Sequence, residues 1–122
     1  MAKTVMVVDD SASLRQVVSI ALKGAGYDVV EGCDGKDALT KLDGRKVHLI
    51  ISDVNMPNMN GIEFVKEVKQ LAGYKFTPII MLTTEAGDSM KQQGQVAGAK
   101  AWVVKPFQPA QMLNAVSKLI LP

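Results

Sequence analysis

The sequence predicts a single α/β domain in which five parallel strands alternate with five helices. Short, continuously apolar runs rich in β-branched residues recur along the 122 residues, and such runs are typical of strands buried on both faces of a sheet. Stretches with the apolar spacing of amphipathic helices separate them. Because right-handed crossovers between parallel strands place helices on both faces, this alternation predicts a doubly wound sheet.

Five short runs, of three to five residues each, are predicted to form the strands. Apolar runs this short favour a strand over a helix. Three runs are unbroken, namely Thr4–Val8, His48–Ser52 and Pro78–Leu82. Two are weaker, namely Asp28–Val30 and Ala101–Val104. His48, which opens the third run, is expected to have a structural or surface role rather than a catalytic one.

Four of the helices are predicted from apolar residues at i, i+3 and i+4 spacing. Ser13 is the expected N-cap of the first, with Gly24 or Gly26 at its end, while Gly61 and Pro109 precede the third and the last. The stripes are Leu14, Val17, Val18, Ala21 and Leu22; Ala38, Leu39 and Leu42; Ile62, Val65, Val68 and Ala72; and Met112, Leu113, Val116, Leu119 and Ile120.

The remaining helix is predicted over residues 87–98, between the last two strands. This segment holds three glycines and three glutamines but few apolar residues. Glycine is unfavourable inside a helix and the apolar face is small, so we expect this helix to be the least stable element.

Composition limits the class of protein. Hydrophobic residues make up 48% of the chain, enough for a core, and the net charge is only +2, which does not favour a nucleic-acid partner or a membrane surface. No apolar run approaches the roughly 20 residues that span a bilayer. The single cysteine, Cys33, excludes an intrachain disulfide and is expected to be buried or half-buried. We expect one cytoplasmic domain over residues 1–122, acting as a monomer.

Reactive side chains follow the predicted strands. The first strand runs into Asp9 and Asp10, the third into Asp53, the fourth into Thr83 and the fifth into Lys105. The ends of parallel strands share one edge, so these groups are expected to converge. Three carboxylates repel one another unless a cation joins them, and hard oxygen ligands suit Mg²⁺. Since Mg²⁺ commonly also binds a phosphate oxygen, the pattern predicts a phosphoryl site with an ammonium and a hydroxyl donor.

Four motifs in this order resemble a known family: Val8–Ser11, Ser52–Pro57 with Gly61, Leu82–Glu85 and Val104–Phe107. They are similar to the motifs of response regulator receiver domains, and particularly of single-domain, CheY-like chemotaxis regulators. The resemblance covers the whole chain. It implies a flavodoxin-like fold with strand order 2-1-3-4-5, and a phosphorylation-activated switch of a two-component system that serves chemotaxis.

The resemblance also implies roles for individual residues and partners. A histidine kinase would donate the phosphoryl group, and a phosphatase would remove it. A flagellar motor switch or other output protein would bind the phosphorylated chain. The protein would catalyse only its own Mg²⁺-dependent phosphorylation and slow dephosphorylation. The matching positions are Asp53 for the phosphoacceptor, Asp9, Asp10, Asp53 and the Asn55 carbonyl for Mg²⁺, Thr83 for the switch hydroxyl, and Lys105 for the lysine that bonds the phosphoryl group.

Two features depart from the family pattern. Trp102 occupies the position where the family has a mobile Tyr or Phe, so the way in which phosphorylation is transmitted is left open. Gly87, Asp88 and Gly94 give the helix at 87–98 a surface unlike that of motor-binding regulators. Binding to the flagellar motor therefore rests on resemblance in fold alone.

Other functions remain as alternatives. A phosphate sink or a phosphorelay intermediate would use the same site. An aspartyl-phosphate phosphohydrolase needs a second acid, and Asn55, two residues beyond Asp53, cannot serve as one. An FMN carrier needs a loop of backbone donors after the first strand, whereas Asp9 and Asp10 would repel the phosphate there.

Overall fold

The computed structural model describes residues 3–54, 59–83, 98–104 and 108–120. Five parallel strands form one sheet in the order β2-β1-β3-β4-β5, which confirms the predicted fold class and strand order. All five predicted runs form strands, with ends shifted by one or two residues in three of them. The strands are β1 Thr4–Val8, β2 Asp28–Gly32, β3 Leu49–Asp53, β4 Ile79–Thr83 and β5 Ala101–Val104.

Four helices lie in the described part of the chain: α1 Ala12–Gly24, α2 Gly35–Lys41, α3 Gly61–Gln70 and α4 Pro109–Leu119. The predicted helix over 87–98 lies outside the described residues, apart from Gly98. The first helix is followed by Gly26 in the left-handed region at φ 96°, as glycine permits.

The N-cap of α1 is Ser11, so the prediction of Ser13 was wrong. The Ser11 backbone is extended, and its side chain accepts a hydrogen bond from the Leu14 N–H at 3.3 Å. The helix therefore begins two residues earlier than predicted, immediately after the acidic pair. This early start shortens the loop between β1 and α1, and it brings the first turn of the helix against the carboxyl end of the sheet.

The core lies on both faces of the sheet because successive residues of each strand point in opposite directions. In β1, Val5 and Val7 pack under α1 and α4, whereas Met6 and Val8 pack under α2 and α3. All four side chains are at most 1% exposed. Burial on both faces explains why the strands appear in the sequence as unbroken apolar runs.

Two single-residue predictions have opposite outcomes. His48 has a structural role, as predicted, because its Nδ1 accepts a hydrogen bond from the Thr4 N–H at 3.0 Å. Cys33 is exposed, so the expectation of burial was wrong. It lies in the loop after β2, at the edge of the sheet, where its N–H donates to the Asp37 carboxylate at 2.9 Å. Among the described residues, no helix is long and apolar enough to cross a membrane.

Candidate functional site

Three carboxylates meet at the carboxyl edge of the sheet. Asp53 is the last residue of β3, and Asp9 and Asp10 follow directly after β1, which is the neighbouring strand. Val8 is in register with Ser52, so the chain leaves both strands at the same level. Carboxylate oxygens of the three aspartates lie within 4.8 Å of one another. The predicted convergence of these residues is therefore confirmed.

The three carboxylates differ in their exposure. Asp9 is 1% exposed and Asp53 is 5% exposed, whereas Asp10 is exposed to solvent. The Ser11 N–H donates to Asp9 Oδ1 at 2.8 Å, which compensates part of the charge at the innermost position. The cluster thus combines two buried acids with one that is exposed to solvent.

The donor chemistry of this cluster fits Mg²⁺. Grouped carboxylates repel one another, and burial of two of them adds a desolvation penalty that a divalent cation would offset. Mg²⁺ prefers hard oxygen ligands and needs few from the protein, since it keeps several waters. Asp10 is exposed to solvent, so an ion bound beside it would have access to those waters and to an oxygen of a phosphoryl group.

Arg15 is the residue of this region that sequence reasoning missed. Its Nη1 donates to the Asp9 carbonyl at 2.6 Å, and its Nε donates to Glu31 Oε1 at 3.2 Å. The guanidinium thus links the start of α1 to the end of β1 and to β2. An arginine beside the apolar stripe of a helix usually extends into solvent, so the sequence offers no signal for these two contacts.

Gly61 approaches the backbone that carries Asp53. Its N–H donates to the Val54 carbonyl at 2.8 Å. A Cβ at this position would collide with the Asp53 carbonyl oxygen and would lie 2.8 Å from Val54 Cα. Only glycine fits here without displacing the chain, which explains the Gly61 that accompanies the second sequence motif.

The other predicted site residues are described only in part. Thr83 ends β4, with its backbone in register with Val104 of β5. Lys105 comes directly after that strand, and it lies outside the described residues, as does Asn55. Trp102 of β5 is half-buried and packs against the hydrophobic core beneath α2 and α3. Its indole Nε1 is buried without a hydrogen-bond partner among the described residues.

Comparisons with known proteins agree on one family. The sequence model of the response regulator receiver domain family matches residues 5–117. Chemotaxis protein CheY1 of Helicobacter pylori is 40% identical over 118 residues, which are 95% of this chain and 94% of that protein. The crystal structure of chemotaxis protein CheY4 of Vibrio cholerae has a TM-score of 0.95 and 48% identity, covering 98% of this chain and all of that one.

A more distant structure shares the fold. The receiver domain of the sensor histidine kinase PA1611 from Pseudomonas aeruginosa, determined with a magnesium ion coordinated in its active-site cleft, has a TM-score of 0.89 at 23% identity, covering 98% of each chain. The matches to the family's sequence model and to the two chemotaxis proteins cover nearly all of this sequence. The chain therefore belongs to the response regulator receiver family, whose members are phosphoacceptor signalling switches of two-component systems rather than catalytic enzymes.

Proposed function

We propose that Asp53 accepts a phosphoryl group from a histidine kinase and that the phosphorylated chain signals by binding another protein. The observation that carries this proposal is the meeting of Asp9, Asp10 and Asp53 at one edge of the sheet, with carboxylate oxygens within 4.8 Å. Asp53 ends a strand that is buried throughout, and positioning of the nucleophile by a packed element favours attack. No other group of three potential metal ligands is found within the described residues.

The transfer is a simple displacement at phosphorus. A carboxylate oxygen of Asp53 forms the new P–O bond while the P–N bond of the phosphohistidine breaks, and the imidazole leaves with the electron pair. Asp9, Asp10, Asp53 and the Asn55 carbonyl would hold Mg²⁺, which when bound neutralises charge on the acids and on the phosphoryl oxygens. Lys105 and Thr83 are assigned to donate hydrogen bonds to those oxygens.

Acetyl phosphate with Mg²⁺ should add one phosphoryl group to the peptide that contains Asp53. The small donor replaces the kinase because the acceptor site supplies the needed geometry. Asp53→Asn removes the nucleophilic carboxylate and should abolish labelling, measured by intact mass and by peptide mass after borohydride trapping. Asp43→Asn is the matched control, since Asp43 is exposed and pairs with Arg45 at 3.4 Å outside the cluster. Labelling that survives in Asp53→Asn would refute the assignment.

We extend the proposal to chemotaxis. CheY1 and CheY4 are chemotaxis proteins at 40% and 48% identity, and this similarity supports a role in chemotaxis. We propose a flagellar motor switch or other output protein as the partner, and a phosphatase to end the signal. A phosphate sink or relay intermediate would accept the phosphoryl group in the same way. We further propose that residues 1–122 act as one cytoplasmic, monomeric receiver domain.

The output partner is proposed to read the surface formed by β5 and α4. The strand β5 is an edge strand, and a cleft of about 300 Å³ separates it from α4. Trp102 lines this cleft and also packs against the core beneath α2 and α3, so it connects the proposed output surface with the core. The lining is Ala101, Trp102, Val103, Gln111, Asn114, Ala115, Lys118 and Leu119.

Beryllofluoride with Mg²⁺, a mimic of the phosphoryl state, should shift the amide NMR signals of Trp102 and its neighbours in β5 and α4. The added charge and acceptor oxygens at Asp53 attract the Thr83 hydroxyl, and its movement changes the packing of the adjacent strand. The distant loop around Gly44 serves as the internal control and should not respond. Shifts confined to the residues beside Asp53 would contradict the proposed output surface. A response of α4 without Trp102 would keep the surface and exclude the indole as the switch.

A further inference from the structure

We propose that Arg15 is a positioning residue for the metal site: held by Glu31, its guanidinium fixes the peptide bond that carries Asp10. This inference rests on the proposed function, because it assumes that the acidic cluster binds Mg²⁺. It adds a role for a residue that belongs to none of the four sequence motifs. It also explains why the one exposed carboxylate of the cluster can lie within ligand distance of the two buried ones.

Arg15 makes two directed contacts from a largely buried side chain. Nη1 donates to the carbonyl oxygen of Asp9 at 2.6 Å, and Nε donates to Glu31 Oε1 at 3.2 Å. The side chain of Arg15 is 18% exposed and that of Glu31 is 42% exposed. The guanidinium is planar and its donors have fixed directions, so the two acceptors together define its orientation. Glu31 therefore aims Arg15 at the end of β1.

The bond to Asp9 determines the direction in which Asp10 leaves the sheet. The Asp9 carbonyl belongs to the planar peptide that joins Asp9 to Asp10. The Asp9 N–H donates to the Gly32 carbonyl at 3.1 Å, and its carboxylate accepts from the Ser11 N–H at 2.8 Å. With Arg15 on the carbonyl, contacts hold the peptides on both sides of Asp9. Rotation of the following peptide, which would swing the Asp10 carboxylate away from the cluster, is thereby opposed.

The sign of the effect separates positioning from simple charge. A guanidinium near the cluster repels a divalent cation, so charge alone predicts tighter Mg²⁺ binding when Arg15 is neutralised. Positioning predicts weaker binding for the same substitution. Arg15→Lys gives a second distinction, because an ammonium keeps the charge but is a single point donor and cannot satisfy Asp9 and Glu31 in the same geometry.

The test compares metal affinity among matched variants. Calorimetric titration with Mg²⁺, and Mn²⁺ binding followed by electron paramagnetic resonance, should show a dissociation constant about tenfold higher in Arg15→Lys and Arg15→Gln, as is usual when a group orienting a metal ligand is removed. Glu31→Gln keeps an acceptor for Nε and should remain near the wild type, whereas Glu31→Ala should resemble the Arg15 variants. Arg45→Lys, on an exposed arginine elsewhere on the chain, is the control.

Phosphorylation kinetics give an independent readout. In the Arg15 variants, the Mg²⁺ concentration for half-maximal labelling of Asp53 by acetyl phosphate should rise, while the rate at saturating Mg²⁺ stays close to wild type. A purely structural role would lower the rate at all Mg²⁺ concentrations, and thermal unfolding without metal detects any loss of folded protein. If Arg15→Gln does not fold, Arg15→Lys and Glu31→Ala still decide the question.

Two failures are distinguishable. If the wild type neither binds Mg²⁺ nor is labelled on Asp53, the proposed function is wrong. If the wild type does both, but Arg15→Lys and Glu31→Ala bind Mg²⁺ as tightly as it does or more tightly, only the positioning role of Arg15 is overturned.

Discussion

Asp10→Asn is expected to raise the dissociation constant for Mg²⁺ by about a hundredfold. Removing a group that only orients a metal ligand weakens binding by about tenfold to a hundredfold, and Asp10 is proposed to be a ligand itself. The amide has nearly the same shape as the carboxylate, so the change removes one negative charge from the donor set without creating a cavity. Asp10 is the exposed member of the cluster, so an ion in solution has direct access to its carboxylate. Labelling of Asp53 by acetyl phosphate at low millimolar Mg²⁺ should fall in proportion, and EDTA should abolish labelling in every variant.

The same substitution should stabilise the protein in the absence of metal. Asp9, Asp10 and Asp53 have carboxylate oxygens within 4.8 Å, and removing one charge relieves their repulsion. Added Mg²⁺ should raise the thermal midpoint of the wild type, because a ligand of the folded state stabilises it by mass action, and should leave Asp10→Asn nearly unchanged. Asp43→Asn should behave as the wild type in both conditions. An Asp10→Asn variant that responds to Mg²⁺ as strongly as the wild type would remove Asp10 from the ligand set.

The parts of the fold that follow from local pattern could be predicted from the sequence. Strands buried on both faces must be apolar throughout, so β1, β3 and β4 were visible as unbroken runs. The helix boundaries were harder because several residues can cap a helix. Ser11 and Ser13 are chemically equivalent caps, and only the position of the helix against the sheet selects Ser11. Ala72 was placed in the stripe of α3, but the helix ends at Gln70 and Ala72 is exposed.

Phe64 shows how the width of a buried helix face escapes a narrow pattern. It is 0% exposed in the core, although the predicted stripe of α3 omitted it. The helix packs against the sheet and also contacts α2, which lies on the same face of the sheet. A residue one position away from the expected stripe is therefore buried as well. The sequence alone does not show how many elements pack against one helix, because this number depends on how the helices are arranged over the sheet.

The candidate site, too, could be predicted from the sequence only in part. Asp9, Asp10 and Asp53 could be placed together because parallel strands deliver their carboxyl ends to one edge. The contacts of Arg15 could not be predicted, since Arg15 and Glu31 lie 16 residues apart on different elements. Their meeting depends on the angle at which α1 packs on β1 and β2. Directions of strand ends thus follow from topology, whereas the hydrogen bonds that hold those ends depend on the packed structure.

Gly61→Ala is expected to lower the free energy of unfolding by about 3 kcal/mol, the upper range for overpacking in a core. The added methyl would collide with the Asp53 carbonyl oxygen and would lie 2.8 Å from both Val54 Cα and Met81 Cε. The methionine end can move, but the two backbone atoms can yield only if the chain after β3 shifts. Such a shift moves the phosphoacceptor itself, so the rate of labelling by acetyl phosphate should fall together with the stability.

Urea denaturation measures the first effect, and labelling of the fraction that is folded measures the second. Gly24→Ala is the matched control because nothing lies within 4 Å of a Cβ at Gly24, which is the last residue of α1. This control should be as stable as the wild type or more stable by up to about 1 kcal/mol, since alanine favours the helix. The close approach of Gly61 both completes the packing of α3 and sets the position of the Asp53 backbone. One added methyl group should therefore lower both the free energy of unfolding and the rate of labelling of Asp53. A stable Gly61→Ala variant that is labelled at the wild-type rate would show that the chain after β3 can shift without disturbing the site.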